Sequence, residues 1–199
     1  MLRSTKEYTG LGLLTEDGEI GKVRDLYFKY EDWSTIRYLA INTGPWIFGR
    51  RVLIPTAKFG SPDLISRLIP VSLTKEQIKS SENYDKEKPV SHRQGSMINE
   101  MIGYHVYAKD GEIGRVEDFI FEEDETWLVR SLVLKMGKGL FSKKVVIASH
   151  FVELINFRKS TVYLSLARVT IRNSPEYDRE EHINKELSTP PQTHKVVRR

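Results

Sequence analysis

Cysteine is absent from the 199 residues. Its absence excludes a disulfide framework, a thiolate nucleophile and any cysteine-ligated metal, and makes the reducing cytoplasm the expected compartment. Long apolar runs are missing too. No stretch approaches the roughly 20 residues a membrane helix needs, and Arg3, Lys6 and Glu7 fall where a secretory leader would carry its apolar core. The reading is a chain with neither leader nor transmembrane segment. A strong excess of one charge is also lacking. Lys and Arg number 31 against 27 Asp and Glu, a formal net charge of +4, and residues 90–178 hold 12 of each sign. No domain-wide basic field marks a nucleic-acid binder, and no DNA partner is expected. The five histidines, His92, His105, His150, His182 and His194, show no metal-ligand spacing. Nothing groups a His with a Ser and a carboxylate, so the expectation is no catalytic residues, no metal, no cofactor and no enzymatic activity.

What is present is a repeat. Asp17-Gly18-Glu19-Ile20-Gly21-Lys22-Val23 returns 93 positions later as Asp110-Gly111-Glu112-Ile113-Gly114-Arg115-Val116. The same offset places Gly10 on Gly103, Asp25 on Asp118, Phe28 on Phe121, Leu39 on Leu132, Ile54 on Ile147 and Tyr84-Asp85 on Tyr177-Asp178, without a gap. A uniform offset over about 75 residues means a duplicated folding unit. A unit of about 80 residues buries only about 60% of the surface its unfolded chain exposes, so the copies are expected to pack closely on each other. The boundaries are residues 1–85 for copy one, 86–96 for a polar linker, 97–178 for copy two and 179–199 for a disordered tail poor in apolar groups.

Each copy reads as mainly β. Asp17-Gly18 is a hairpin turn leading to a long strand through Ile20, Val23, Leu26 and Phe28, with a bend or bulge at Gly21. Thr35 to Thr43 alternates as a strand with both faces partly apolar. Thr74 and Gln77 have the spacing of a capping box, which predicts a short helix through about Ser81. The matching segment of copy two, Ala167-Arg168-Val169-Thr170-Ile171, is β-branched and predicts an extended segment or a weak helix.

The Asp-Gly-Glu-Ile-Gly-Lys-Val motif, followed by Asp25, Phe28, Trp33 to Leu39, Gly44-Pro45-Trp46, Gly49-Arg50 and Val52-Leu53-Ile54-Pro55, resembles a PRC-barrel domain. Copy two fits more loosely, with Gly139 for Trp46 and Ala148 for Pro55. The resemblance implies two small, strongly bent β-barrels of about six strands each, with a short helix after the first, packed as a pseudo-two-fold pair. Such barrels occur in the cytoplasmic part of the photosynthetic reaction centre H subunit and in bacterial ribosome maturation factors, where they dock on a larger partner. On this reading the chain has neither the membrane helix of the former nor the separate N-terminal domain of the latter. The function expected is a non-enzymatic adaptor or scaffold with a protein partner. Kinship with maturation factors also suggests RNA or the ribosome, and a membrane-surface role is a third reading; fold alone does not choose among them. Assembly beyond the intramolecular pair stays open.

Two features mark candidate interaction residues. Trp46 and Phe48 in copy one and Phe141 in copy two place large apolar groups at hairpin tips flanked by Arg50, Arg51, Lys143 and Lys144. They either fold over a barrel mouth or pack between the copies, or they form an exposed anchor for a partner protein or a membrane surface. Glu122, Glu123 and Asp124, continued by Glu125, form the sharpest charge run in the chain. It is either a solvated hairpin balanced by nearby cations or an electrostatically marked docking edge.

Overall fold

Copy one opens with a short strand, β1 (Leu2–Ser4), and one helical turn, α1 (Thr5–Tyr8), capped by Ser4, whose hydroxyl accepts the Lys6 N–H. It continues through β2 (Gly12–Thr15), β3 (Gly18–Lys29), β4 (Asp32–Asn42), β5 (Arg51–Pro55), β6 (Leu68–Pro70) and α2 (Lys75–Lys79). Copy two repeats the order with β7 (Gly95–Met97), α3 (Ile98–Met101), β8 (His105–Ala108), β9 (Gly111–Glu122), β10 (Val129–Met136), β11 (Lys143–Ala148), β12 (Val152–Asn156), β13 (Thr161–Leu164) and α4 (Arg168–Arg172). The structure is a computed structural model describing residues 1–44, 51–81, 95–137 and 142–177. The tail 179–199 and linker residues 86–94 lie outside the described residues, whereas Gly95 and Ser96, read from the sequence as the end of the linker, belong to β7.

Two mainly β sheets result, with strand paths β5-β4-β3-β2-β6 and β11-β10-β9-β8-β13-β12. The bend read at Gly21 is present. Gly21 takes φ +58, the register shifts opposite it, and a Cβ there would come 2.5 Å from the Asn42 carbonyl oxygen. The capping box of α2 forms as the spacing predicts, with Gln77 N–H donating to Thr74 Oγ1 and Thr74 N–H donating to Gln77 Oε1.

Copy two also ends in a helix, the five-residue α4, which is the second of the two outcomes its sequence allowed. The middle three residues of α4, Val169, Thr170 and Ile171, are β-branched and weak helix formers, but a distant carboxylate closes the N-terminus. Asp110 Oδ1 accepts the Arg168 N–H at 2.7 Å from 58 residues upstream, as Asp17 Oδ1 accepts the Lys75 N–H at 2.9 Å in copy one. The aspartate of the repeated motif is thus both a turn residue and a tertiary cap. Each cap bond holds its carboxyl below the usual aspartate range, since the N–H it accepts favours the ionised form.

The two sheets exchange strands. β9 pairs with β8 along its first half, where Gly111 to Arg115 face Ala108 to His105. Beyond that point the edge is taken by β1, from the other copy, with Leu2 opposite Glu122 and Ser4 opposite Ile120. β3 does the same with β7, Gly95 opposite Lys29 and Met97 opposite Tyr27. The two pairings are identical once the repeat offset is applied, so the exchange is reciprocal and the pair has pseudo-two-fold symmetry. The sheets also meet directly, through the Ile36 N–H donating to the Trp127 carbonyl at 3.0 Å.

One core runs through both copies. Tyr8 of copy one is fully buried between Phe121 and Trp127 of copy two, ring centroids 5.1 and 5.5 Å away. On the other side Phe157 of copy two packs on Phe28 and Tyr30 of copy one. The exchanged strands themselves are filled differently. Leu2 lies with Ile120 and Val133, while its counterpart Gly95 leaves room for the Tyr27 ring beside Ala40 and Met97. A Cβ on Gly95 would fall 2.0 Å from the Phe28 oxygen and 2.7 Å from the Tyr27 ring. Gly95→Ala is therefore expected to loosen β7 and lower stability by about 1–3 kcal/mol, measured as a lower urea midpoint; an unchanged midpoint would contradict this packing.

Candidate interaction site

At the junction of the copies the turn after β5 faces the β9–β10 hairpin across a cleft of about 510 Å³. Copy one lines it with Thr56, Phe59 and Ser61, copy two with Glu123, Asp124, Glu125 and Trp127. The hairpin has its shape because Asp124 Oδ1 accepts the N–H and hydroxyl of Thr126 at 2.8 and 2.5 Å and the Trp127 N–H at 3.3 Å. Burial works against ionisation of Asp124, but these hydrogen bonds outweigh it and hold its carboxyl below the ordinary range. Trp127 then takes a left-handed φ of 52 and lays its indole on Phe121, centroids 5.4 Å apart. In copy one Ser34 stands in place of Trp127, and the hairpin closes tightly with Lys29 opposite Asp32.

Three residues of the acidic run are engaged within the molecule, and one of them, Glu123, ties the two copies together. Glu122 binds Arg130 at 2.5 Å. Glu123 binds Arg3 of the exchanged arm, and its N–H donates to the Met1 carbonyl. Burial, together with the Glu123 carboxylate beside it, raises the Tyr8 hydroxyl well above the usual tyrosine range. Glu125 alone of the four makes no hydrogen bond or ion pair among the described residues.

The cations of the sequence reading are placed as follows. Lys143 Nζ donates to the Arg172 and Ser174 carbonyls at the end of α4. Lys144 pairs with Glu117 at 2.8 Å, which Lys6 of the exchanged arm also reaches at 3.2 Å. Burial opposes ionisation of Glu117, but the two lysines more than offset it and keep its carboxyl low. Arg51 is exposed at the start of β5. Trp46, Phe48, Arg50 and Phe141 lie outside the described residues. Lys143, Lys144 and the acidic run are therefore not brought into one site.

A pair of buried aspartates was missed from the sequence. Asp118 is met by the exchanged arm of copy one, the Ser4 hydroxyl donating at 2.6 Å and the Thr5 hydroxyl at 2.7 Å. Asp25, its counterpart, is equally buried but meets Met97 and Ile98, which have no hydroxyls. It keeps the N–H groups of Leu26 at 2.8 Å and Asn99 at 3.2 Å. Burial, aided slightly by the Glu100 charge, pushes its carboxyl up to about 6. The signal in the sequence was that an aspartate recurs at the repeat offset, two positions after Val23 in copy one and Val116 in copy two.

Because the Asp25 carboxyl is raised from its ordinary 3.8 to about 6, the folded state holds its proton more tightly than the unfolded chain. The associated stability is present below pH about 3.8 and is lost as pH rises through about 6. Between pH 7.5 and 5 the wild type should gain about 1–2 kcal/mol relative to Asp25→Asn. Parallel urea-derived stability curves for the two proteins would contradict the burial of an ionisable Asp25.

No helix among the described residues is long and apolar enough to cross a membrane, and they hold no group of three or more potential metal ligands. No curated protein matches the chain. The family model of the PRC-barrel domain matches twice, over residues 4–78 and 95–166, one match on each copy. The chain belongs to the PRC-barrel family and carries the domain in tandem.

Proposed function

We propose that the protein is a non-enzymatic scaffold that binds another protein in the cleft between its two PRC-barrel domains. The observation that carries this reading is that both copies build the cleft, the turn 56–61 from one and the hairpin 123–127 from the other. The strand exchange fixes these two walls relative to each other before any partner arrives, so little ordering cost remains to be met on binding. Phe59 and Trp127 give the cleft an apolar floor, and Glu125 gives its rim a charge that no ion pair among the described residues uses. An apolar centre with a polar rim is the usual anatomy of a protein-binding patch. One charge beside it, Glu123, is bound across the junction by Arg3, as expected of a group that helps hold a scaffold together. The partner this cleft suits is a segment carrying an apolar side chain next to a basic one.

Ser61 and Glu125 stand on opposite walls, and Ser61 is exposed. The double variant Ser61→Arg/Glu125→Arg should block the cleft while leaving the thermal midpoint unchanged. Immobilised wild type is expected to retain a defined set of proteins from cell extract, depleted about tenfold or more on the variant, equivalent to at least 1.4 kcal/mol. Equal retention by both would count against the cleft, and turnover of a substrate by purified protein would end the non-enzymatic reading.

A further inference from the structure

The outward face of the copy-two sheet carries a row of one histidine and three cations that copy one does not have. His105 stands opposite Arg115, Arg115 opposite Lys135, and Lys135 opposite Lys144, one position on each of β8, β9, β10 and β11. The same row in copy one reads Gly12, Lys22, Asn42 and Arg51. Like charges directly opposite one another weaken a sheet, so copy two carries a cost that copy one avoids at two of the four positions. The row is only partly neutralised. His105 Nδ1 lies 2.6 Å from Glu112 and Lys144 is engaged by Glu117. Arg115 makes one long bond to the Gly103 carbonyl, and exposed Lys135 has no partner among the described residues.

The adjoining row adds aromatic surface. Tyr163 on β13 stands beside Tyr107 on β8, which in turn faces Glu112 on β9. The two rings stack, centroids 5.4 Å apart at 23°, on the solvent side of the sheet, since their neighbours Val106 and Val162 are the ones turned into the core. Copy one has Pro70 and Leu14 there. Strands lie about 4.8 Å apart, so Arg115, Lys135 and Lys144 span roughly 10 Å beside the tyrosines. Cations tracking a phosphate backbone next to stacked aromatics are the combination that binds single-stranded nucleic acid. Glu112 decides between the two chemistries of backbone. A carboxylate repels phosphate but accepts a hydrogen bond, and the ribose 2′-hydroxyl is the donor that RNA has and DNA lacks.

We propose that the face formed by His105, Tyr107, Glu112, Arg115, Lys135 and Tyr163 is a binding surface for single-stranded RNA. It is separate from the cleft and stands whether or not the cleft binds protein. It is confined to copy two because copy one has Gly12, Leu14, Asn42 and Pro70 at the matching positions of His105, Tyr107, Lys135 and Tyr163.

Fluorescence anisotropy of a labelled single-stranded RNA of about 12 nucleotides, within the usual range of site sizes, tests this on the full chain. Saturable binding is expected at about 50 mM salt, weakening steeply by about 200 mM. Arg115→Glu/Lys135→Glu should weaken it tenfold or more, as should Tyr107→Ala/Tyr163→Ala, while the matched copy-one pair Lys22→Glu/Arg51→Glu leaves it unchanged. DNA of the same sequence should bind several-fold more weakly, and Glu112→Gln should narrow that gap. If a tyrosine variant fails to fold, the charge-reversal pair and its copy-one control decide alone. Absence of saturable binding at low salt, equal losses from the copy-one pair, equal affinity for DNA, or displacement of the RNA by anionic vesicles would each overturn the assignment.

Discussion

Each long strand of this protein loses its hairpin neighbour halfway along, and the edge left open is filled by the N-terminal strand of the other copy. Everything else in the structure depends on that exchange. Leu2–Ser4 and Gly95–Met97 are too short to be stable strands by themselves. Docked on β9 and β3 they satisfy backbone groups that would otherwise form an exposed edge. They also carry α1 and α3 into the junction and so place Tyr8 against Phe121 and Trp127. Two units each too small to bury a generous core thereby share one.

The exchange is symmetric in backbone and asymmetric in chemistry. Where Leu2 packs on Ile120, Gly95 gives way to Tyr27. Asp118 receives two hydroxyls from its arm, while Asp25 receives none from the opposite arm and titrates near 6. Arg3 ties its arm to Glu123, whereas its counterpart Ser96 only hydrogen-bonds Glu100 within the same arm, at 2.7 Å. The copy-one arm is thus fastened by charge and hydroxyl groups, and the copy-two arm mainly by fit. The same divergence opens the β9–β10 hairpin over the cleft and lines the outer face of copy two with cations and tyrosines. Both copies keep the fold, and they differ in the side chains set on it.

Much of this was legible in the sequence because it is local or periodic. The offset between Asp17 and Asp110 revealed the duplication, alternation located β4, and Thr74 with Gln77 announced α2. What was not legible depends on partners far along the chain. Nothing near Arg168 promises a helix, since its cap is Asp110, and nothing in Leu2–Ser4 shows that its hydroxyl will meet a carboxylate 114 positions away. The acidic run and Lys144 looked like docking charges because their countercharges, Arg3, Arg130 and Glu117, lie on other strands. The cation row could not be seen either, because its members are adjacent only once register is known.

The exchange can be tested directly, since a chain without cysteine gives no background thiol chemistry. Two double-cysteine variants differ only in which copy the arm of copy one is asked to meet. Leu2→Cys/Glu122→Cys joins β1 to β9 of the other copy, and Leu2→Cys/Lys29→Cys joins it to β3 of its own. Under mild oxidation the account predicts an intramolecular disulfide in the first variant, seen as a shifted band on non-reducing gels, and none in the second. A disulfide in the second variant but not the first would show that each arm stays with its own copy, and would contradict the exchange on which the structure depends.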